Sequence, residues 1–194
     1  ILKERIFIIN HQPSSHIEEF NEIDFNLQKV VRDNFNLPKN YIFYPAMYLP
    51  HKNHRTLIDA FKILKKESKN KNLKLVCCGN DIGYLENIKS FSKGQNLEEE
   101  IIFLNFVKDE YLPYLYLDSS MVIVPSLIGP TNIPPWEAFK MKKPVIYSDL
   151  EGIKDVLGNS VHYVDPFDAQ EIANSINKIL SDSSFRDNLI KQGS

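Results

Sequence analysis

The stretch YIFYPAMYLPHKNHRTLIDAFKIL (41–64) begins with a continuous apolar run and leads into a segment whose apolar residues recur at helical spacing. Leu57, Phe61 and Leu64 mark one face of that segment and lysines mark the other, as in an amphipathic helix. An apolar run that is continuous rather than alternating is typical of a strand buried on both of its faces. The stretch therefore predicts a buried strand followed by a helix over 53–68.

The same alternation of apolar runs and helical segments continues to the end of the chain. A last helix is predicted over 168–180, opened by Asp168 and Glu171 as a capping box. Strand–helix alternation with short connections implies right-handed crossovers and a parallel sheet. The expected fold is α/β: a Rossmann-like parallel sheet of about six strands with helices on both faces. Five more strands are predicted at LKLVCCG (73–79), IIFLNF (101–106), MVIVP (121–125), PVIYS (144–148) and VHYV (161–164).

The first forty residues lack this regularity. A short strand is predicted at RIFII (5–9) and a short helix near 25–35, within a largely polar segment. We therefore divide the chain into an interdomain linker, or start of the domain, over 1–40 and a Rossmann-like α/β domain over 41–194. Because the chain begins with Ile rather than Met, we expect it to be a piece of a longer protein.

Composition excludes several classes of protein. The formal net charge of -2 lacks the basic excess of a nucleic-acid binder, so no nucleic-acid partner is expected. No apolar run approaches the roughly 18 residues of a membrane span. The seven glycines form neither a G-x-G-x-x-G motif nor a Walker loop, and H-E-x-x-H, C-x-x-C and G-x-S-x-G motifs do not occur. Cys77 and Cys78 are adjacent in a predicted buried strand, so a reducing cytoplasm is the expected compartment.

Candidate binding residues follow the carboxyl ends of the strands, where ligands of parallel sheets bind. Lys52 stands between the first strand and the next helix, and a cation beside the positive end of a helix suits a phosphate. Alternatively, Lys52 is a solvated surface lysine and Asn53 only caps the helix. Gly79 follows the second strand, where it allows either the close approach of a ligand or merely a turn.

The loop after the fourth strand leads into a helix that begins with Pro134 and Pro135, where missing N–H groups cost least. Thr131 or Asn132 is predicted to cap this helix, whose free N–H groups would form an anion site. Glu137 lies in its first turn. A carboxylate there can accept two hydrogen bonds from sugar hydroxyls, or it can simply compensate the helix dipole.

Core packing, rather than ligand binding, is predicted for the aromatic side chains at helical spacing. His51 and His54 flank Lys52 too closely for a convincing metal site, and no metal is expected. The aromatic residues in question are Tyr111, Tyr114, Tyr116 and Trp136.

Three segments, in this order, resemble the C-terminal, donor-binding half of GT-B glycosyltransferases, and above all the retaining family 4 (glycosyl transferases group 1). They are YIFYPAMYLPHKNH (41–54), EIIFLNFVKDEYLPYLY (100–116) and PSLIGPTNIPPWEAFKMKKPVIYS (125–148). The resemblance covers roughly 41–190. It implies a domain that holds a nucleotide-diphosphate sugar, while a separate N-terminal domain binds the acceptor.

The resemblance also implies roles for individual residues. Lys52 matches the lysine that grips the diphosphate, and Glu137 matches the glutamate that binds the ribose; these two are the predicted catalytic residues. Gly129 stands where the family has the first of its paired glutamates, and Met47 stands where it has an arginine. His51 is a candidate to take part of the arginine's role.

The remaining predicted donor-binding residues are also carried over from the family. Phe106 and Val107 match the turn whose backbone contacts the base, and Gly79 matches the glycine after the second strand. The loop that meets the donor sugar and phosphate is predicted to comprise Gly129, Thr131, Asn132 and Ile133.

The resemblance implies a retaining hexosyltransferase that needs no cofactor or metal and uses a UDP- or GDP-sugar. The expected acceptor is a growing glycan or lipid-linked glycan of a bacterial surface polysaccharide, with the full-length enzyme in the cytoplasm or peripheral at the inner membrane. The present chain is expected to be inactive alone, because the acceptor domain is missing. Two alternatives stay open: a GT-B nucleotide-sugar epimerase, and a non-catalytic interaction module derived from the same fold.

Overall fold

Six parallel strands form one sheet in a computed structural model that describes residues 12–67, 70–129 and 133–193. The strand order is β3-β2-β1-β4-β5-β6, and every neighbouring pair is parallel. This order confirms the predicted Rossmann-like sheet. The strand predicted at 5–9 lies outside the described residues. The strands are β1 (Tyr41–Pro45), β2 (Lys74–Cys78), β3 (Ile101–Leu104), β4 (Met121–Val124), β5 (Val145–Ser148) and β6 (His162–Val164).

Helices cover both faces of this sheet. Helix α3 contacts α4 and α8, and α1 contacts α5 and α6, which with right-handed crossovers gives one group of helices on each face. Within the described ranges, none of the helices combines the length and the apolar character that a membrane crossing needs. The helices are α1 (Ser15–Glu18), α2 (Phe25–Asn34), α3 (His54–Lys65), α4 (Leu85–Gly94), α5 (Leu112–Asp118), α6 (Pro134–Lys140), α7 (Ile153–Leu157), α8 (Ala169–Ser181) and α9 (Ser183–Gly193).

The burial of the central strands explains why their sequences are continuously apolar. All residues of β4 and β5 are buried, as are the first four of β1. β1 and β4 pair at the centre, with Ile42 opposite Met121 and Phe43 opposite Val122. The strand order reverses at this pair, so the connections after β1 and β4 lead to opposite faces and open a crevice between them.

The capping box predicted for α8 is only half formed. The Asp168 carboxylate accepts hydrogen bonds from the backbone N–H of Gln170 and of Glu171, both at 2.9 Å. The backbone N–H of Asp168 instead donates to the carbonyl of Asp165 at 3.1 Å. Glu171 Oε2 therefore accepts from the N–H of Asp165, at 3.1 Å, and not from the cap residue itself.

The segment before β1 packs onto the domain. Arg32 Nη1 and Gln28 Nε2 both bind the carboxylate of Asp118 at the end of α5, at 2.7 and 2.6 Å. Ile17 and Val31 are fully buried. This segment thus covers part of the sheet's helical layer, while the boundary at residue 40 stays a prediction.

Candidate functional site

The connection after β1 lies against the connection after β4. Pro50–Lys52 forms a 3₁₀ turn between β1 and α3. The N–H of Leu127 donates to the carbonyl of His51 at 2.8 Å, and the Tyr44 hydroxyl donates to the carbonyl of Lys52 at 2.5 Å. The turn that carries Lys52 is therefore held beside the loop that leads to α6, at the switch point of the sheet.

Asn53 ties three strand ends together. Its backbone is left-handed, with φ 61° and ψ 34°, a conformation that Asn tolerates better than most residues. Its Nδ2 donates to the carbonyls of Pro125, after β4, and Pro166, after β6, at 3.0 and 2.7 Å. Its Oδ1 accepts from Thr56 Oγ1 at 2.7 Å. Asn53 does occupy the N-cap position of α3, but the prediction that it merely caps this helix is wrong, because its side chain binds elsewhere.

The side chain of Lys52 is half-buried. Burial lowers the pKa of its ammonium, since a charge is less stable where water is partly excluded. This environment differs from that of the fully solvated surface lysine considered above. A partly shielded cation attracts an anion more strongly than an exposed one does.

The absence of a side chain at Gly79 is required by the protein's own backbone. A Cβ at this position would lie 2.1 Å from the carbonyl oxygen of Ala46 and 2.7 Å from the nitrogen of Met47. The N–H of Gly79 donates to the carbonyl of Leu104 at 3.2 Å. Gly79 thus lets the ends of β1, β2 and β3 approach each other, and a role toward a ligand stays a prediction.

His54 is buried at the start of α3 without a hydrogen-bond partner at either ring nitrogen. Its ring lies 4.7 Å from that of Tyr44 and 5.3 Å from that of Tyr48, centroid to centroid. Burial, and next the charge of Lys52, lower the pKa of His54 to about 3. Among the described residues there is no group of three or more His, Cys, Asp or Glu placed to hold a metal ion.

Replacing His54 by phenylalanine is expected to flatten the dependence of stability on pH. His54 is neutral in the folded protein, but in the unfolded chain it takes up a proton as the pH falls below 6.5. The wild type therefore loses about 2 kcal/mol more unfolding free energy than His54→Phe between pH 6.5 and 4.5. Urea denaturation of both proteins at several pH values measures this difference, and parallel profiles would contradict it.

The loop before α6 is only partly described. The carbonyl of Gly129 accepts a hydrogen bond from the Tyr147 hydroxyl at 3.1 Å. Its φ of 110° is one that residues with side chains rarely adopt, so a side chain at this position would strain the backbone. Ile133 occupies the N-cap position of α6 and is partly exposed, so the prediction that Thr131 or Asn132 caps this helix is wrong. Thr131 and Asn132 lie outside the described residues.

Glu137 is buried in the first turn of α6. The two prolines begin this helix as predicted. Glu137 is only 5% exposed, and its Oε2 accepts a hydrogen bond from the Tyr116 hydroxyl at 2.6 Å. Tyr116 packs in the core as expected, but its contact with Glu137 is one that no local pattern in the sequence predicts.

The carboxyl edge of the sheet also carries an apolar rim. Phe106, in the turn after β3, is 69% exposed, whereas its neighbour Val107 is 7% exposed. Such a concentration of exposed apolar side chains at one edge is typical of a surface that binds another group. The other exposed large apolar residues at this edge are Met47, Ile82, Ile128, Ile133 and Phe167.

The predicted site residues that the structure describes all follow the carboxyl end of a strand, and the sheet gathers them at one edge. Lys52 follows β1, Gly79 follows β2, and Phe106 follows β3. Glu137 follows β4, whose connection is bonded to the Lys52 turn. Among the described residues, this edge of the sheet thus carries the ammonium of Lys52, the buried carboxylate of Glu137 and the start of α6.

The model of the family "Glycosyl transferases group 1" matches residues 28–194 of the chain. Among curated proteins, the chain is 31% identical over 141 residues to the O-antigen chain mannosyltransferase RfbU of Salmonella typhimurium. That match covers 73% of this chain and 38% of the relative. The chain thus spans well under two thirds of that relative.

Solved structures show the same fold. One is the C-terminal domain of the glycosyl transferase group 1 family protein LpcC from Francisella tularensis, with a TM-score of 0.73 and 21% identity over 91% of this chain and 93% of that one. Another is Alr3699/HepE from Anabaena in complex with UDP and glucose, with a TM-score of 0.78 and 20% identity over 95% of this chain and 49% of that one.

Proposed function

This chain belongs to the glycosyl transferases group 1 family, and from that membership we propose that it is the donor-binding part of a glycosyltransferase. The proposed reaction moves a hexosyl group from a nucleotide-diphosphate sugar to a glycan and retains the anomeric configuration without a metal. The proposed acceptor is a growing glycan of a bacterial surface polysaccharide. The similarity to an O-antigen chain mannosyltransferase supports this choice. We further propose that the acceptor site lies in a part of the protein that this chain does not include.

One observation carries this proposal: the turn with Lys52 is hydrogen-bonded to the connection that leads into α6. A glycosyl transfer from such a donor leaves a nucleoside diphosphate, whose negative charge grows as the glycosidic bond breaks. A half-buried ammonium beside the amino end of a helix would stabilise that charge. Because these groups are held in place before the reaction, they need little reorganisation during it.

Glu137 is proposed to accept hydrogen bonds from the ribose hydroxyls of the nucleotide. Its burial and its bond to Tyr116 support this role, because an acid that only compensates the helix dipole needs neither. The apolar rim at the same edge supports the proposal that another domain packs there and covers the bound donor. We propose that this is the acceptor-binding domain.

A thermal-shift screen of UDP, GDP, ADP and CMP tests the proposed function on this chain. Stabilisation by one nucleoside diphosphate above the others supports a donor-binding domain. UDP is the first probe, because HepE was solved with it. Stabilisation by none of the four would contradict the proposal and favour a non-catalytic module.

The Glu137→Gln variant is expected to bind the stabilising diphosphate about 10-fold or more weakly, because a hydrogen bond to a charged group contributes roughly 1.5–3 kcal/mol. Isothermal titration calorimetry measures the two dissociation constants. Glu151→Gln is the matched control, because Glu151 is exposed and lies on the connection after β5. Equal affinities for wild type and Glu137→Gln would remove Glu137 from the ribose site.

A further inference from the structure

The environment of Glu137 contains one contact that goes beyond a binding carboxylate. The hydroxyl of Tyr116 donates to Oε2 at 2.6 Å, within the range of short, charge-assisted O–H···O⁻ bonds. Tyr116 lies on α5 and Glu137 on α6, so the bond joins the helix that precedes β4 in the chain to the helix that follows it. Burial, and next the charge of Glu137, raise the pKa of Tyr116, so its hydroxyl keeps its proton and stays a donor.

The tyrosine ring is itself held in a single orientation. It is fully buried and meets the ring of Phe43, on β1, edge to face at 4.9 Å and 89°. The preceding residue, Leu115, accepts a hydrogen bond at its carbonyl from the Tyr41 hydroxyl at 2.7 Å, which fixes α5 on β1. The hydroxyl that reaches Glu137 therefore has little freedom to move.

A fixed donor of this kind selects one rotamer of the glutamate before any ligand arrives. A free glutamate side chain loses rotamer entropy when a ligand orders it, whereas an already ordered one does not. Each carboxylate oxygen has two lone pairs, so Oε2 can accept from Tyr116 and from a ligand hydroxyl together. The pair of ribose hydroxyls then meets two acceptors at a set separation.

We propose that Tyr116 is a positioning residue that, by fixing the carboxylate of Glu137, sets a preference of this site for ribonucleotides over 2′-deoxyribonucleotides. This inference rests on the proposed function, since it concerns the ribose of the same nucleotide. It assigns to a core tyrosine a share in ligand specificity, although Tyr116 need not touch the ligand.

The test compares the affinities of a ribonucleotide and its 2′-deoxy counterpart by calorimetry: UDP with 2′-deoxy-UDP, or GDP with 2′-deoxy-GDP, according to which base stabilises the chain. Wild type is expected to prefer the ribonucleotide by roughly 10-fold or more, as for a hydrogen bond to a charged group. In Tyr116→Phe this preference is expected to fall at least threefold, while the affinity for the deoxy compound changes less than twofold.

Tyr114→Phe is the matched control, because Tyr114 lies on the same helix and its hydroxyl binds the distant N–H of Asp24. This variant should keep the wild-type preference, and a fall equal to that in Tyr116→Phe would overturn the inference. If Tyr116→Phe does not fold, Phe43→Leu loosens the tyrosine ring but keeps its hydroxyl, and its preference should fall at least twofold.

An unchanged preference in a folded Tyr116→Phe, or in Phe43→Leu where that variant is used, overturns the inference alone. Failure of the wild type to bind any of the ribonucleotides would overturn the proposed function together with it. A purely structural role of Tyr116 would lower thermal stability and affinity for both nucleotides equally, which leaves the ratio unchanged and therefore also overturns the inference.

Discussion

Lys52→Ala is expected to lower the rate of sugar transfer at least 100-fold in a protein that carries both the donor- and the acceptor-binding domains. The half-buried ammonium of Lys52 is proposed to stabilise the departing diphosphate. Loss of one preorganised group that stabilises charge in the transition state typically costs about 2.7–4 kcal/mol, or 100- to 1,000-fold in rate. Steady-state assays of the purified variant with a nucleotide-sugar donor measure the effect.

Lys66→Ala is the control for this variant, because Lys66 is an exposed lysine at the far end of the same helix α3. It should transfer sugar at the wild-type rate. Lys52→Arg, which keeps a positive charge, should retain more activity than Lys52→Ala. Turnover of Lys52→Ala within a few-fold of wild type would refute the role of Lys52 in the reaction.

Asn53→Asp is expected to lower the unfolding free energy by about 3–5 kcal/mol at pH 7, because it places an unpaired charge in a buried position. The substitution removes both hydrogen bonds to Pro125 and Pro166 and turns a carboxylate toward their carbonyl oxygens. The shape of the side chain hardly changes, so the loss of unfolding free energy measures the removal of the two hydrogen-bond donors and the addition of the charge. Urea denaturation followed by circular dichroism gives the value.

The loss in Asn53→Asp should also depend on pH. Burial raises the pKa of the new carboxyl above its unfolded value of about 3.9. The deficit relative to wild type is therefore smaller near pH 4, where only the loss of the two donors remains, and it grows as the pH rises. Asn53→Gly retains the left-handed backbone and adds no charge, so it should cost less than Asn53→Asp at pH 7. A loss below about 1 kcal/mol in Asn53→Asp would contradict the role of Asn53 in joining the three strand ends, given what one unsatisfied buried group costs.

Much of the fold was predictable because burial leaves a local trace in the sequence. The run Tyr41–Pro45 is continuously apolar because β1 is covered on both faces, and the runs of the central strands β4 and β5 have the same origin. Pro134 marks the start of α6 because the first N–H groups of a helix have no acceptor within the helix, so a proline there loses no hydrogen bond. The carboxyl-edge position of Lys52 and Glu137 followed from the alternation of strands and helices alone.

The contacts that shape the site left no such trace. Tyr116 and Glu137 are 21 residues apart on different helices, and Asn53 lies 113 residues before Pro166. The prediction of a capping box at Asp168 was only half right. The N–H of Asp168, which Glu171 was expected to accept from, instead donates to the backbone carbonyl of Asp165 in the preceding turn.

The amino-acid sequence by itself determined the α/β architecture, the order of strands and helices along the chain, and the family resemblance. Tertiary structure alone decided that Tyr116 orients Glu137, that Asn53 joins three strand ends, and that Gly79 must lack a side chain beside Ala46. The physical reason lies in the range of the interactions. Hydrophobic periodicity is set residue by residue within one element, whereas these contacts exist only because the strand order β3-β2-β1-β4-β5-β6 brings distant segments together.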